Sequence, residues 1–164
     1  MRIHLSLGSN LGDRLANLQA ACIALNQLNR VRVTETSHCY ETEPVGNVEQ
    51  PAFLNAAVEI ETDFEPLELL NAAKSIERRL GRIPSERWGP RCIDIDIVLW
   101  GDRIVESERL TLPHPRFRER AFVLIPLAEI APGAVDPVTG RTVAELAAQP
   151  EAGGQVSRQN TLVF

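Results

Sequence analysis

Residues 31–62 read VRVTETSHCYETEPVGNVEQPAFLNAAVEIET, two strand-like runs separated by a polar, turn-rich stretch. The first run, Val31 to Glu41, is rich in Val and Thr, and the second, Phe53 to Thr62, alternates around Leu54, Ala56, Val58 and Ile60. Pro44 and Gly46 open the loop between them, which closes at Pro51. Two strands in direct succession, with no helix between, pair antiparallel and exclude a doubly wound parallel sheet. Upstream, Ile3, Leu5 and Leu7 alternate with His4 and Ser6 in a first strand that ends at Gly8. Leu11, Leu15, Leu18, Cys22, Leu25 and Leu28 then recur at helical spacing and predict a helix over residues 11–29. Downstream, Leu69, Ala73, Ile76 and Leu80 mark a second helix, with Pro66 in its first turn and Gly81 as its stop. Cys92 to Trp100 is the last strand, turned at Gly101 and Asp102. The resulting order, β-α-β-β-α-β, predicts an α+β protein with a ferredoxin-like antiparallel sheet and helices on one face. Further helices are expected at 119–130, interrupted by Pro126, and at 142–149, and the tail from Pro150 to Phe164 is expected either to be partly mobile or to close with a short strand over 161–164.

The chain has 164 residues, 44% hydrophobic and 24% charged, which fits one compact domain spanning residues 1–164. No apolar run approaches the roughly 20 residues of a membrane-spanning helix, and the N-terminal residues lack a signal-peptide pattern. Three cysteines, Cys22, Cys39 and Cys92, form no C-x-x-C pair, so a cytoplasmic location is expected. The net charge is −5, yet residues 78–120 hold ten arginines against seven acids. Such a segment could grip a small polyanion, or could be a solvated charged face. An acidic chain of this kind is poorly suited to wrapping nucleic acid.

The candidate chemistry lies between Glu86 and Leu99. In a strand, Ile93, Ile95 and Ile97 point to one side, and Cys92, Asp94 and Asp96 to the other. Two carboxylates at that spacing repel one another unless a cation lies between them. Mg²⁺ bound by one or two carboxylates completes its shell with water and substrate phosphates. Solvated acids on an exposed sheet face are the simpler reading of the pair alone. Arg82, Arg87 and Arg91 precede the pair, while Arg109, His114, Arg116, Arg118 and Arg120 follow it. Guanidinium groups bind phosphate oxygens bidentately, so the combination suits phosphoryl transfer better than either part alone. There is no P-loop, and the only lysine is Lys74, inside a helix.

The string Arg87-Trp-Gly-Pro-Arg91-x-x-Asp94-x-Asp96 resembles the signature of the 6-hydroxymethyl-7,8-dihydropterin pyrophosphokinases of folate biosynthesis. So do the runs Leu7 to Leu11, Tyr40 to Thr42, Gln50 to Val58, Leu112 to His114, Arg120-x-Phe122 and Ile130 to Pro132. The resemblance implies an ATP- and Mg²⁺-dependent diphosphotransferase that passes the pyrophosphoryl group of ATP to the pterin hydroxymethyl and leaves AMP. It implies two Mg²⁺ ions on Asp94 and Asp96, with Arg82 and Arg91 as catalytic arginines. It implies an ATP site lined by Lys74, Glu77, Arg87, Trp88, Arg91, Ile97, Arg109, Thr111, His114 and Arg120. The implied pterin pocket comprises Gly8, Thr42, Pro44, Val45, Phe53, Asn55, Trp88 and Phe122, with the flat heterocycle between aromatic faces and its polar edge on Asn55. The expected partners are ATP and the pterin, with no nucleic acid and no membrane, and a monomer is expected.

Three places depart from the family pattern. Ile83-Pro84-Ser85 replaces a loop that in the best-known members is one residue longer and carries another arginine and a lysine. Pro115 stands where an aromatic usually follows the histidine, and Lys74 stands where glutamine is common. A noncatalytic pterin or nucleotide sensor is the competing class, and the intact Asp pair speaks against it. An RNA-binding sheet would want aromatics where Asp94 and Asp96 stand.

Overall fold

The computed structural model describes residues 2–42, 52–81, 92–149 and 156–162. In chain order the elements are β1 (Arg2–Ser9), α1 (Arg14–Gln27), β2 (Val31–Thr36), β3 (His38–Thr42), β4 (Phe53–Thr62), α2 (Pro66–Arg79), β5 (Asp94–Trp100), β6 (Val105–Glu106), β7 (Thr111–Leu112), α3 (Ala121–Ile130), α4 (Val143–Ala147) and β8 (Val156–Thr161). The main sheet runs β5-β1-β4-β3-β8, with β2 also paired to β4. All of its pairings are antiparallel. This is the expected split βαβ arrangement. The short hairpin of β6 and β7 is an addition that two-residue strands could not announce in sequence.

Local chemistry accounts for the differences in element boundaries. The first helix begins at Arg14 because Gly12, at φ +70°, turns the chain and the Asp13 carboxylate then accepts from Ala16 N at 3.1 Å. The long strand expected over 31–41 breaks at Ser37, whose Oγ accepts from Ala57 N at 2.8 Å in place of a backbone carbonyl. That substitution separates β2 from β3 along the same partner strand. The second helix carries Pro66 in its first turn and a capping box between Glu65 and Glu68, and Gly81 follows it at φ +92°. The closing strand is real but lies earlier than expected, at Val156–Thr161 on the edge of β3.

The sheet has two unlike faces. On one, Ile3, Leu5 and Leu7 of β1, Leu54, Val58 and Ile60 of β4, and Ile95 and Ile97 of β5 pack with Leu18, Cys22 and Leu25 of α1 and Leu69, Ala73 and Ile76 of α2. Each Leu, Ile or Val among them, fully buried, contributes about 1.5–3 kcal/mol. On the other, α3 and α4 bury Val123, Leu124, Leu127, Val143 and Leu146 against Ala57, Val98 and Leu99. The two helices of the βαββαβ unit thus share one face, as expected, and the additional helices α3 and α4 cover the other. α3 is apolar nearly all round and tolerates Pro126 in its interior because it is enclosed.

The register of β5 on β1 shifts between His4 and Leu5, so that Leu5 pairs with Ile97 and His4 with Leu99. Val98 is the extra residue of this bulge, and it joins Leu99 in the core that α3 and α4 form. Beneath the same cover, buried His4 bonds Glu59 at 3.0 Å, and Thr34 Oγ1 donates to Glu59 at 2.8 Å. Burial holds the His4 imidazole below its ordinary pKa. Before the bulge, strand alternation carries Asp94 and Asp96 onto this second face.

Candidate active site

Across the second face, Asp94 of β5 is register partner to Gly8 of β1, Gly8 to Asn55 of β4, and Asn55 to Tyr40 of β3. Adjacent strands lie about 4.8 Å apart, so the Asp94 and Asn55 backbones are separated by roughly 10 Å. Two pairs further along β5, Asp96 faces Ser6, and at the end of the β3–β4 pairing Thr42 faces Phe53. Asp94, Asp96 and Phe53 are all partly exposed.

Gly8 is required where it stands: a Cβ there would come within 2.8 Å of Asn55 Oδ1. The buried Asn55 amide donates from Nδ2 to Thr42 Oγ1 at 3.2 Å, which leaves its remaining donor and acceptor capacity for a ligand edge. Phe122 lies in the first turn of α3, half-buried on the same face, and the Arg120 guanidinium sits 5.5 Å from its ring centroid.

Burial, together with the charge of Asp94, pushes the Asp96 carboxyl up to about 7; Glu77 adds to this, and Lys74 and Arg120 oppose it. Two carboxylates two residues apart on one face of β5 fit a divalent cation, which would offset their mutual repulsion. Among the described residues no cluster of three or more His, Cys, Asp or Glu forms a metal cage. The donor set therefore suits an ion such as Mg²⁺ that takes its other ligands from water and substrate phosphates.

Around the pair the structure gathers several of the expected nucleotide residues. Glu77 is buried and accepts from Ile95 N at 2.8 Å, which ties α2 to the peptide between the two aspartates; Lys74 pairs with it at 3.2 Å. His114 donates its backbone N–H to Val98 O and accepts at Nδ1 from Arg116 N at 3.1 Å. Burial and the neighbouring Arg120 push its pKa down to about 4, so at neutral pH it is uncharged with the proton on Nε2, a donor. Arg109, exposed in the β6–β7 hairpin, donates to Asn71 Oδ1 of α2 at 2.5 Å, and Thr111 is exposed on β7.

Ile97 is different. Its side chain lies in the core beneath α1 and α2, on the face opposite the aspartates, so it does not line the carboxylate side. Pro44, Val45, Arg82, Arg87, Trp88 and Arg91 lie outside the described residues. Arg14 and Asn71 escaped the sequence reading. Each acts through partners distant in the chain, and only the helical spacing of Asn71 and Lys74 on α2 hinted that they share an aspect.

The pattern of the 7,8-dihydro-6-hydroxymethylpterin-pyrophosphokinase (HPPK) family matches residues 4–132. The chain belongs to this family. Among HPPK relatives, the 2-amino-4-hydroxy-6-hydroxymethyldihydropteridine pyrophosphokinase of Bacillus subtilis is 51% identical over 127 residues, covering 77% of this chain and 76% of the relative. The protein of the same name from Methylorubrum extorquens is 48% identical over 153 residues, covering 93% of this chain and 96% of its own. The folic acid synthesis protein fol1 of Schizosaccharomyces pombe is 46% identical over 142 residues; the match covers 87% of this chain but only 19% of fol1. The HPPK fold is seen again in a Plasmodium falciparum HPPK-DHPS crystal structure with pteroate, at TM-score 0.70 and 18% identity, over 89% of this chain and 41% of that one.

Proposed function

We propose that residues 1–164 form a single pterin pyrophosphokinase domain that transfers the pyrophosphoryl group of ATP to the hydroxymethyl of 6-hydroxymethyl-7,8-dihydropterin, with Mg²⁺ as the metal. The observation that carries this reading is the row Asp94, Gly8, Asn55 on one sheet face, in a chain of the HPPK family. It sets a polar edge for a heterocycle roughly 10 Å from a carboxylate pair, a span suited to a bound pterin whose hydroxymethyl points at a phosphate chain.

In this account Asn55 and Thr42 hold the polar edge of the pterin, Phe53 and Phe122 hold its faces, and Gly8 leaves room for the Asn55 amide. Two Mg²⁺ ions would be held by Asp94 and Asp96, where they supply charge neutralisation of the phosphates and a more acidic attacking hydroxyl. The hydroxymethyl oxygen bonds to the β-phosphorus and gives up its proton to water, the bond from that phosphorus to the α-phosphate bridging oxygen breaks, and AMP leaves with that oxygen. Neutral His114 offers an Nε2–H donor to the nucleotide, and Arg109 and Arg120 present cations from the hairpin side and from the start of α3. Arg82 and Arg91 act on the phosphates, while Arg87, Trp88 and Lys74 help line the nucleotide site. Glu77 contributes by holding β5, and Ile97 by packing beneath it. Pro44, Val45 and Trp88 complete the pterin pocket.

The enzyme is placed in the cytoplasm as a monomer acting on small molecules. No described helix is long and apolar enough to cross a membrane, and acids on the exposed sheet face disfavour nucleic acid. Calorimetric titration tests the pterin site. Phe53→Ala should weaken pterin binding by about 1 kcal/mol or more, through lost stacking and area, and leave ATP affinity nearly unchanged. Equal losses for both ligands would make Phe53 core packing instead.

A further inference from the structure

We infer that Arg14 is a positioning residue for the pterin shelf, holding the ends of β3 and β4 in place from the first turn of α1. The inference rests on the functional reading above. The Arg14 guanidinium donates from Nη1 to Ala52 O at 2.7 Å and from Nη2 to Glu41 Oε2 at 3.0 Å. Glu41 and Ala52 immediately flank the Thr42–Phe53 pair, the end of the β3–β4 ladder that carries two of the pterin residues. One side chain therefore spans both strands beside that pair. Thr42 in turn accepts from Asn55, so the position of the β3 end reaches the amide that meets the polar edge of the pterin.

The same helical turn also holds the other side of the shelf. Asn17 Nδ2 donates to Ser9 Oγ at 3.2 Å and to Leu11 O at 2.9 Å, fixing the segment that follows Gly8. With Gly12 at φ +70° and the Asp13 cap setting where the helix starts, α1 is the common reference for Gly8 on one strand and for Thr42 and Phe53 on the next two. A guanidinium suits this role, since its rigid fork reaches two acceptors on two strands at once, whereas an ammonium is a point charge. Both partners are partly exposed, 29% for Arg14 and 39% for Glu41, so the ion pair adds little stability, and its effect lies in placement.

Steady-state kinetics of Arg14→Ala and Arg14→Lys, with both substrates varied, test this. Arg14→Ala should raise the KM for the pterin about tenfold, with kcat and the KM for ATP within about twofold of the parent and a Tm lowered by no more than about 3 °C. Arg14→Lys should recover part of the loss, with a pterin KM about threefold above the parent. Glu41→Gln, which keeps an acceptor for the guanidinium, should stay within about twofold. A pterin KM unchanged in Arg14→Ala would overturn the inference, as would both KM values rising together with a large fall in Tm. Parent protein that fails to bind the pterin would overturn the functional reading, and this inference with it; a parent that binds and an Arg14→Ala variant that binds equally well would overturn the inference alone.

Discussion

Asp94→Asn and Asp96→Asn should each lower turnover by at least about a thousandfold, roughly 4 kcal/mol of transition-state stabilisation, while folding as well as the parent. The loss is large because the two carboxylates, two residues apart on one face of β5, are the pair that the account gives to the metal. The retained fold follows from the sign of the Asp96 shift. Its folded carboxyl is raised to about 7 from an ordinary 3.8, first by burial and then by Asp94. Between those values the unfolded chain binds fewer protons than the folded one, so the metal-free protein loses stability as pH rises from about 4 to about 7. Asp96→Asn removes that penalty. Thermal unfolding in a chelating buffer at pH 7.5 should therefore show a Tm at or above that of the parent. Near-normal turnover in either variant would contradict the assignment, and an unfolded variant would contradict the electrostatic argument.

Arg82→Ala should lower kcat by one to three orders of magnitude, roughly 1.4 to 4 kcal/mol, with small changes in the Kd of either substrate. Arg91→Ala should weaken nucleotide binding as well as turnover. The contrast comes from where the two arginines stand in the sequence. Arg82 follows Gly81, at φ +92° just beyond the end of α2, whereas Arg91 stands three residues before the β5 ladder begins at Asp94. In the proposed account, Arg91, close in sequence to the strand that carries the aspartates, would meet the ground-state phosphates, and Arg82 would act after binding. Pro84 fixes its own φ and restricts Ile83, and with no other arginine or lysine between Arg82 and Arg87 little could replace Arg82. Binding of a nonhydrolysable ATP analogue, set beside single-turnover rates, separates the two roles. Strong loss of ATP binding with an untouched single-turnover rate in Arg82→Ala would make that residue a static nucleotide ligand.

Much of this architecture was legible because its determinants are local. The alternation of Ile93, Ile95 and Ile97 with Asp94 and Asp96 announced both the buried side of β5 and its charged side, and both are observed. The pattern of Leu69, Ala73 and Ile76 likewise announced the buried side of α2. What escaped depends on partners far apart in the chain. The break at Ser37 needs the Ala57 amide, twenty residues on. The face on which α3 packs could not be read from a helix whose apolar residues run all round it. Arg14 reads as an ordinary helix-surface cation until Glu41 and Ala52 are brought beneath it. Glu77 was expected at the nucleotide; what its hydrogen bond from Ile95 N shows is a carboxylate that fastens β5 to α2.

Within the candidate site, the carboxylate pair was legible in the alternation of β5, and the residues of the proposed pterin shelf came from the family resemblance; the register that relates the two was not legible. In that register Gly8 pairs with Asn55 on one side and Asp94 on the other, an adjacency that no single strand encodes. The claim that this adjacency serves pyrophosphoryl transfer is tested most directly by the nucleotide product. The protein is incubated with ATP, Mg²⁺ and 6-hydroxymethyl-7,8-dihydropterin, and the nucleotides are resolved by chromatography. The account predicts AMP, formed in step with the pterin diphosphate and only when the pterin is present; ADP as the product, or no cleavage of ATP at all, would contradict it.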